Sequence, residues 1–170
     1  MVEDLKIAGI PATRAERGFD HGVWVPLALM FPAADIPVVA MSVQPGRDGA
    51  HHLAVGAVLA DRRAENILVV GSGAITHNLG EVVPGSTEAP EWVTAFDDWA
   101  VERACAGDSK ALADWRRQGP HARRNHPTPE HWLPFLVALG AGAGSGQVLH
   151  RSTTWGVLRM TVMGFGSEIA

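Results

Sequence analysis

The chain has 170 residues, a length that suits one domain with a substantial hydrophobic core. Hydrophobic residues make up 46% and charged residues 19% of the sequence, as in soluble globular proteins. A formal net charge of -4 argues against a surface for nucleic acid or anionic membranes. The first residues lack the basic and apolar regions of a signal peptide, and no apolar run approaches the ~18 residues of a spanning helix. We therefore expect a cytoplasmic protein that binds neither nucleic acid nor membrane.

The counts of three residue types limit which kinds of site the chain can form. Cys105 is the only cysteine, which excludes an internal disulfide and a cysteine-based zinc site, and we expect it to be a small buried residue. Of the six tryptophans, those within residues 88–117 are expected to pack in the core or at an interface. The eight histidines favour a metal or acid–base site, because imidazole is the commonest metal ligand and titrates near neutral pH.

Two short helices are predicted near the N-terminus. Residues 2–8 form a helical pattern that ends at Gly9, a residue type favoured just after a helix. Pro26 suits the first turn of a second helix, and Asp20 or His21 would lie at its entrance, where a side chain can cap free N–H groups. We favour the cap for Asp20. His21 lies close to two glycines, which would let a ligand approach the backbone.

A β-α-β unit is predicted over residues 36–70. Residues 36–43 and 67–70 are short, apolar, β-branched runs, typical of strands that are buried on both faces. Residues 50–64 between them form a helical pattern, with His51 and His52 in its first turn, where we expect both to face solvent. A crossover of this kind joins parallel strands, which predicts a parallel sheet.

The stretch after the second strand is the first candidate site. Gly71-Ser72-Gly73 ends the strand, and Thr76-His77-Asn78 follows at once. Ligands of open α/β sheets bind just beyond the carboxyl ends of the strands, so a histidine at this point is well placed for chemistry. From the local sequence alone a second interpretation stays open, in which the glycines only form a turn and His77 caps a helix or faces water.

Helices are predicted over residues 88–106 and 110–117, separated by a break at Gly107-Asp108-Ser109 that supplies a helix cap. A second histidine-rich stretch follows them. Thr128 and Pro129 predict the start of another helix, with Glu130 and His131 in its first turn. Glu130 suits the helix dipole there, whereas an imidazole gains nothing at a positive helix end. His131 therefore indicates a carboxylate or metal partner, unless it simply faces solvent.

The remaining residues give fewer indications of structure or function. Residues 141–146 are a glycine-rich link and lack the Lys-Ser/Thr pair of a phosphate loop. Residues 153–163 alternate enough to predict a final strand, at an edge of the sheet.

Three separated segments match one family pattern. They are Arg-Gly-Phe-Asp-His-Gly-Val-Trp-Val-Pro-Leu at 17–27, Val-Val-Gly-Ser-Gly-Ala-Ile-Thr-His-Asn-Leu at 69–79, and Pro-Thr-Pro-Glu-His-Trp-Leu-Pro at 127–134. In this order they resemble the DOPA-type class III extradiol ring-cleavage dioxygenase family. Residues 36–39, 52–56 and 155–160 agree more weakly, so the resemblance extends over nearly the whole chain.

The resemblance implies an α/β fold with a central mixed, largely parallel sheet flanked by helices. Family members carry an N-terminal portion that supplies the first strands and two further metal-binding histidines. The chain is expected to lack that portion, so that its sheet is incomplete at the N-terminus. Residues 1–170 would then form a single domain, the C-terminal two-thirds of a catalytic domain.

The resemblance also implies a chemistry, in which a non-haem Fe(II) or Zn(II) and O2 open a small catechol-type aromatic ring beside its two hydroxyls. His131 corresponds to a metal ligand. His77 corresponds to the histidine that takes a proton from the substrate hydroxyl and lies at the metal, and His21 to a pocket histidine for substrate or dioxygen. Glu130 and Asp20 are candidate hydrogen-bond acceptors for the free N–H of a metal-bound histidine.

The resemblance assigns no metal-binding role to four other histidines, His51, His121, His126 and His150. The expected metal site is therefore short of ligands. The alternative to an active dioxygenase is a non-catalytic remnant or partner subunit, in which a homo-oligomer or a completing subunit supplies what is missing.

Overall fold

The structure, a computed structural model, describes residues 1–166. Its helices are α1 (Val2–Ile7), α2 (His21–Met30), α3 (Gly49–Leu59), α4 (Glu91–Cys105), α5 (Ser109–Ala113), α6 (Trp115–Gln118), α7 (Ala122–Asn125) and α8 (Leu133–Gly142). Its strands are β1 (Gly146–His150), β2 (Thr153–Thr154), β3 (Leu158–Arg159) and β4 (Val162–Phe165). Short 3₁₀ helices form at Ala60–Glu65 and Leu79–Glu81. In this part of the chain no helix combines the length and apolar character needed to cross a membrane.

The strands of residues 1–166 form two small antiparallel sheets. β1 pairs with β4, and the register is irregular between Val148 and His150. β2 pairs with β3, so that Thr153 lies opposite Arg159. The single strand predicted over 153–163 was wrong, because the chain reverses at Trp155 and Gly156, where φ is 50° and 72°.

The parallel pair predicted from residues 36–43 and 67–70 is not formed within the described residues. Neither segment belongs to a strand, and their side chains are largely exposed, with Val39 at 70% and Leu68 at 69%. The apolar, β-branched composition predicts a strand, but a strand also needs neighbours to pair with, and residues 1–166 supply none for these two segments. The fold of this part is therefore mixed α/β, mostly helical, with small antiparallel sheets.

Helix α2 is also apolar without being buried. None of its ten residues is buried, and Trp24 and Leu29 are 55% and 81% exposed. Together with residues 36–43 and 67–70 it forms a set of exposed apolar segments. Monomeric proteins seldom leave large apolar patches open to water, and such patches mark interaction surfaces.

The core lies between α4, α8 and the short helices α5 to α7. It is built from fully or almost fully buried side chains: Ile75, Phe96, Ala100, Ala104, Leu112, Trp115, Ala122, Trp132, Leu133, Leu136 and Leu139. Trp92 and Trp115 are buried, as predicted, and Trp132 is buried as well. Ile75 belongs to this core, so the segment that carries His77 is fixed to the most densely packed part of the molecule.

Helix α3 packs directly on α8 through glycines. A Cβ added to Gly56 would overlap the carbonyl oxygen of Val137 and lie 2.9 Å from Gly140 Cα. A Cβ added to Gly140 would overlap the carbonyl oxygen of Leu53. The two helices therefore approach each other at the distance that only glycine permits.

We expect Gly56→Ala to lower the free energy of unfolding by about 1–3 kcal/mol, the usual effect of over-packing. The obstructing atoms are main-chain atoms of α8, which cannot move aside as a flexible side chain does. Gly46→Ala is the matched control, because an added Cβ there meets nothing within 4 Å. Urea denaturation measures both variants, and equal midpoints would contradict the close-contact interpretation.

Several local predictions are confirmed and others are wrong. Helix α1 ends before Gly9, whose φ is 74°, and the carboxylate of Asp108 caps α5 by accepting a hydrogen bond from Ala111 N at 3.0 Å. Cys105 is exposed, not buried. His52 is buried rather than solvent-facing: its Nδ1 donates to Asp48 O at 2.8 Å and its Nε2 accepts from Gln44 N at 3.1 Å.

A buried carboxylate fastens α4 to the C-terminal strands. Asp97 is 0% exposed, and it accepts hydrogen bonds from Arg159 Nε at 2.8 Å and Thr161 Oγ1 at 2.6 Å. Arg151 also donates to Asp97, and it reaches the exposed Asp98 as well. Two guanidinium groups and one hydroxyl therefore stabilise the negative charge of Asp97.

Candidate active site

Residues 73–78 form a turn that is held at nearly every position. Ala74 N donates to His131 O at 3.2 Å, and Ile75 N donates to Arg159 O at 3.2 Å. Thr76 is buried, and its hydroxyl donates to Val157 O at 2.7 Å. A Cβ on Gly73 would overlap His131 O, so glycine is required for this close approach. These contacts hold the turn directly against the segment that carries His131.

The structure brings the three histidines of the candidate site together. The rings of His77 and His131 stack with centroids 3.5 Å apart and planes 10° apart. His21 begins α2 and lies close enough to His131 to lower its pKa. The next residue, Gly22, faces Ser72: a Cβ added there would lie 3.6 Å from Ser72 Oγ. Segments that are far apart in sequence thus meet at one place.

Burial keeps the two stacked imidazoles neutral. It lowers the pKa of His77, and Glu130 only partly opposes this effect. Burial also lowers the pKa of His131, and the neighbouring His77 lowers it further. A neutral imidazole near pH 7 has a free lone pair, which is what a proton acceptor or a metal ligand needs.

Asp20 and Glu130 both border the site, but neither acts as a helix cap. Asp20 occupies the position before α2, yet its carboxylate accepts no capping hydrogen bond; its carbonyl oxygen accepts from Val23 N and Trp24 N instead. The pKa of Glu130 is lowered chiefly by a hydrogen bond from the Thr128 side chain.

The helix start predicted at Thr128 and Pro129 was wrong. Helix α8 begins at Leu133, and residues 127–132 form turns. His131 therefore lies in the turn that leads into α8 and not in a helical first turn. A threonine followed by proline also starts tight turns, and the two cases look alike in the local sequence.

The donor chemistry of the site suits a metal, but the number of donors is small. Imidazole is a good ligand for iron and zinc. Among residues 1–166, no group of three or more His, Cys, Asp and Glu side chains is placed to hold a metal ion. A metal bound at His77 and His131 would need further ligands from elsewhere.

Two residues of the site were not identified from the sequence. Asn125 O accepts from His77 N at 2.9 Å, and the buried ring of His126 lies 2.7 Å from Ile75 O through its Nε2. The signal that could have revealed His126 is its position between the tryptophans of the core and the Pro-Thr-Pro turn, but spacing alone does not show burial.

Acidification from pH 7.5 to 5 is expected to lower the free energy of unfolding by about 2 kcal/mol through His126. Burial lowers the pKa of His126 from its ordinary 6.5 to about 4. Between these values the unfolded chain binds a proton that the folded chain does not, so acid favours unfolding. Urea denaturation at both pH values tests this, with His126→Gln as the non-titrating comparison. Equal slopes against pH in the two proteins would contradict it.

The sequence and the fold are those of the aromatic ring-opening dioxygenase family. Residues 1–165 match the family described as the catalytic LigB subunit of aromatic ring-opening dioxygenase, and the chain belongs to this family. The resemblance to DOPA-type class III extradiol dioxygenases is thereby confirmed. Enzymes of the family typically use a non-haem Fe(II).

Several relatives are 4,5-DOPA extradiol dioxygenases. The chain is 38% identical to that of Beta vulgaris over 148 residues, which cover 86% of this chain and 55% of the relative. It is 37% identical to that of Portulaca grandiflora over 163 residues, 92% of this chain and 60% of the relative. The enzyme of Escherichia coli K12 is 38% identical over 154 residues, 81% and 53% of the two chains.

A solved structure has the same fold. The crystal structure of an uncharacterized protein from Escherichia coli K12 superposes with a TM-score of 0.83 at 34% identity. The match covers 97% of this chain and 70% of that chain. The chain thus spans little more than half the length of the DOPA dioxygenases that it resembles.

Proposed function

We propose that this chain acts in extradiol ring cleavage of a catechol-type aromatic compound, with a non-haem Fe(II) or Zn(II) and O2. His131 and His77 would hold the metal, and His77 and His21 would act on the substrate. The observation that supports this most is the stack of His77 on His131, with His21 close by. In the reaction a ring carbon–carbon bond beside the hydroxyls breaks, and both atoms of O2 enter the product.

The chain's own residues suit the proton transfer in this reaction. A catechol hydroxyl has to lose its proton before the ring is attacked, and general bases contribute about 10²–10⁴-fold to such steps. His77 is neutral because burial lowers its pKa, and the turn of residues 73–78 keeps its backbone fixed. His21, at the entrance of α2, would orient substrate or dioxygen from the opposite segment.

Reconstitution tests this function directly. The protein is loaded with Fe(II) anaerobically and then given DOPA and air, and the formation of a yellow ring-opened product is followed. DOPA is the first substrate to use because the relatives are DOPA dioxygenases. Product formation by the wild type would support the proposal, whereas protein that binds no metal and opens no catechol ring would exclude activity of this chain alone.

We further propose that residues 1–170 are the C-terminal two-thirds of such a catalytic domain. Residues 36–43 and 67–70 would be strands of a central, largely parallel sheet whose neighbouring strands come from polypeptide outside the described residues. The exposure of Val39 and Leu68 supports this, because strands with apolar side chains on both faces are normally covered.

A second candidate function is that of a partner subunit whose metal site is completed by another chain. The exposed apolar segments favour it, since the ten residues of α2 are all unburied. Measurement of the mass in solution together with metal analysis separates the candidates. A metal-free monomer that stays stable would count against both.

A further inference from the structure

The segment that precedes the Pro-Thr-Pro turn contacts the His77 turn with three consecutive residues. Arg124 O accepts from Asn78 Nδ2 at 2.7 Å, and Asn125 O accepts from His77 N at 2.9 Å. The third residue, His126, contacts Ile75 O through its ring atom Nε2, at 2.7 Å. Hydrogen bonds therefore join the two segments on both sides of His77.

His126 is held in one orientation by an aromatic cage. It is 1% exposed and lies against Phe96, Trp115 and Trp132, with ring centroids 5.4 to 5.8 Å away. Because a carbonyl oxygen can only accept, Nε2 carries the proton and donates it to Ile75 O. Nδ1 is buried and has no partner in the part of the chain that the structure describes.

Packing alone does not explain a histidine at this position. A buried polar atom without a partner destabilises a fold, so an apolar side chain would fill an aromatic cage more favourably. Within residues 1–166 the one polar contact of the ring is the bond to Ile75 O, two residues before His77. That carbonyl is itself part of a residue that is only 3% exposed.

The other side of the same turn is fixed to His131. Ala74 N donates to His131 O, and Gly73 passes too close to that oxygen for any side chain. The direction of the chain between Gly73 and His77 is thus set by His131 on one side and by His126 on the other. At the end of this stretch the ring of His77 stacks on the ring of His131.

We propose that His126 is a positioning residue, which holds the His77 turn through its Nε2–H···O=C bond to Ile75 and thereby keeps His77 stacked on His131. The inference rests on the proposed function, because it assigns His126 to the support of the proposed base. In this role His126 touches no substrate and binds no metal.

His126→Phe and His126→Gln test the role on metal-free protein. Phenylalanine fills the aromatic cage without a donor, whereas glutamine keeps an N–H that can reach Ile75 O. In His126→Phe we expect the ring protons of His77 and His131 to lose the upfield shifts of stacked rings in NMR spectra. We also expect the His77 amide to exchange about tenfold faster, the equivalent of one lost hydrogen bond. His126→Gln should restore both signals toward the wild type.

A His126→Phe protein with native tryptophan circular dichroism and unchanged His77 and His131 signals would overturn the proposal. If that variant does not fold, long-range ¹H–¹⁵N spectra of the wild type decide. They should show Nε2 of His126 protonated and Nδ1 bare at neutral pH, and the opposite tautomer would overturn the proposal. Neither measurement needs iron or turnover, so failure to bind Fe(II) would count against activity of this chain alone, whereas the His126 measurements test the contact with the His77 turn separately.

Discussion

Asp97→Asn is expected to lower the free energy of unfolding by about 3–5 kcal/mol, the usual effect of removing one member of a buried ion pair. The carboxylate is fully buried and faces Arg151, Arg159 and Thr161. Asparagine keeps the shape but removes the charge, and the partly buried guanidinium of Arg159 then lacks its partner. Since whole domains are stable by about 5–15 kcal/mol, this loss is a large share of the total.

Asp98→Asn is the matched control, since it changes the adjacent residue of the same helix in the same way. The side chain of Asp98 is 64% exposed and pairs with Arg151 at the surface, so its loss should change stability by less than about 1 kcal/mol. Urea denaturation followed by tryptophan fluorescence measures both. If the two variants lost equal stability, the burial of Asp97 would not be the cause of its effect.

His77→Ala is expected to reduce ring cleavage by about 10²–10⁴-fold in Fe(II)-reconstituted protein, because it removes the proposed general base. The effect on folding should be small, since the main-chain bond from His77 N to Asn125 O is kept. Steady-state formation of the yellow product from DOPA gives the rate, and circular dichroism checks the fold.

His150→Ala is the control for this measurement. The His150 ring is exposed and its hydrogen bond is to the neighbouring Ser152, at 2.9 Å. The His150→Ala protein should therefore retain the wild-type rate of ring cleavage. A His77→Ala protein that did the same would show that another group removes the substrate proton.

Two helix-terminal signals, Gly9 and Asp108, were confirmed, whereas the helix start predicted at Thr128 and the cap predicted at Asp20 were wrong. Gly9 and Asp108 act within a few residues of their own positions, so the sequence contains everything that determines them. The helix around 50–64 was predicted, although its last turns are 3₁₀. The histidines 21, 77 and 131 were found because they lie in distinctive motifs.

Long-range partners were not predictable in the same way. Asp97 and Arg159 are 62 residues apart, and from the sequence Asp97 is one more charge on an amphipathic helix. His126 looks like a dispersed histidine, because burial in a cage of Phe96, Trp115 and Trp132 is set by tertiary packing. The strands predicted at 36–43 and 67–70 are not formed within residues 1–166 for a similar reason, since a strand needs neighbours to pair with and composition does not supply them.

Anaerobic equilibrium dialysis against Fe(II) tests the central claim, that His131 and His77 belong to the metal site of a ring-cleaving enzyme. We predict that the wild type and His150→Ala retain Fe(II), whereas His131→Ala binds it more than about tenfold less tightly, as expected when a ligand is lost. Equal Fe(II) binding by wild type and His131→Ala, or none by either, would contradict the claim.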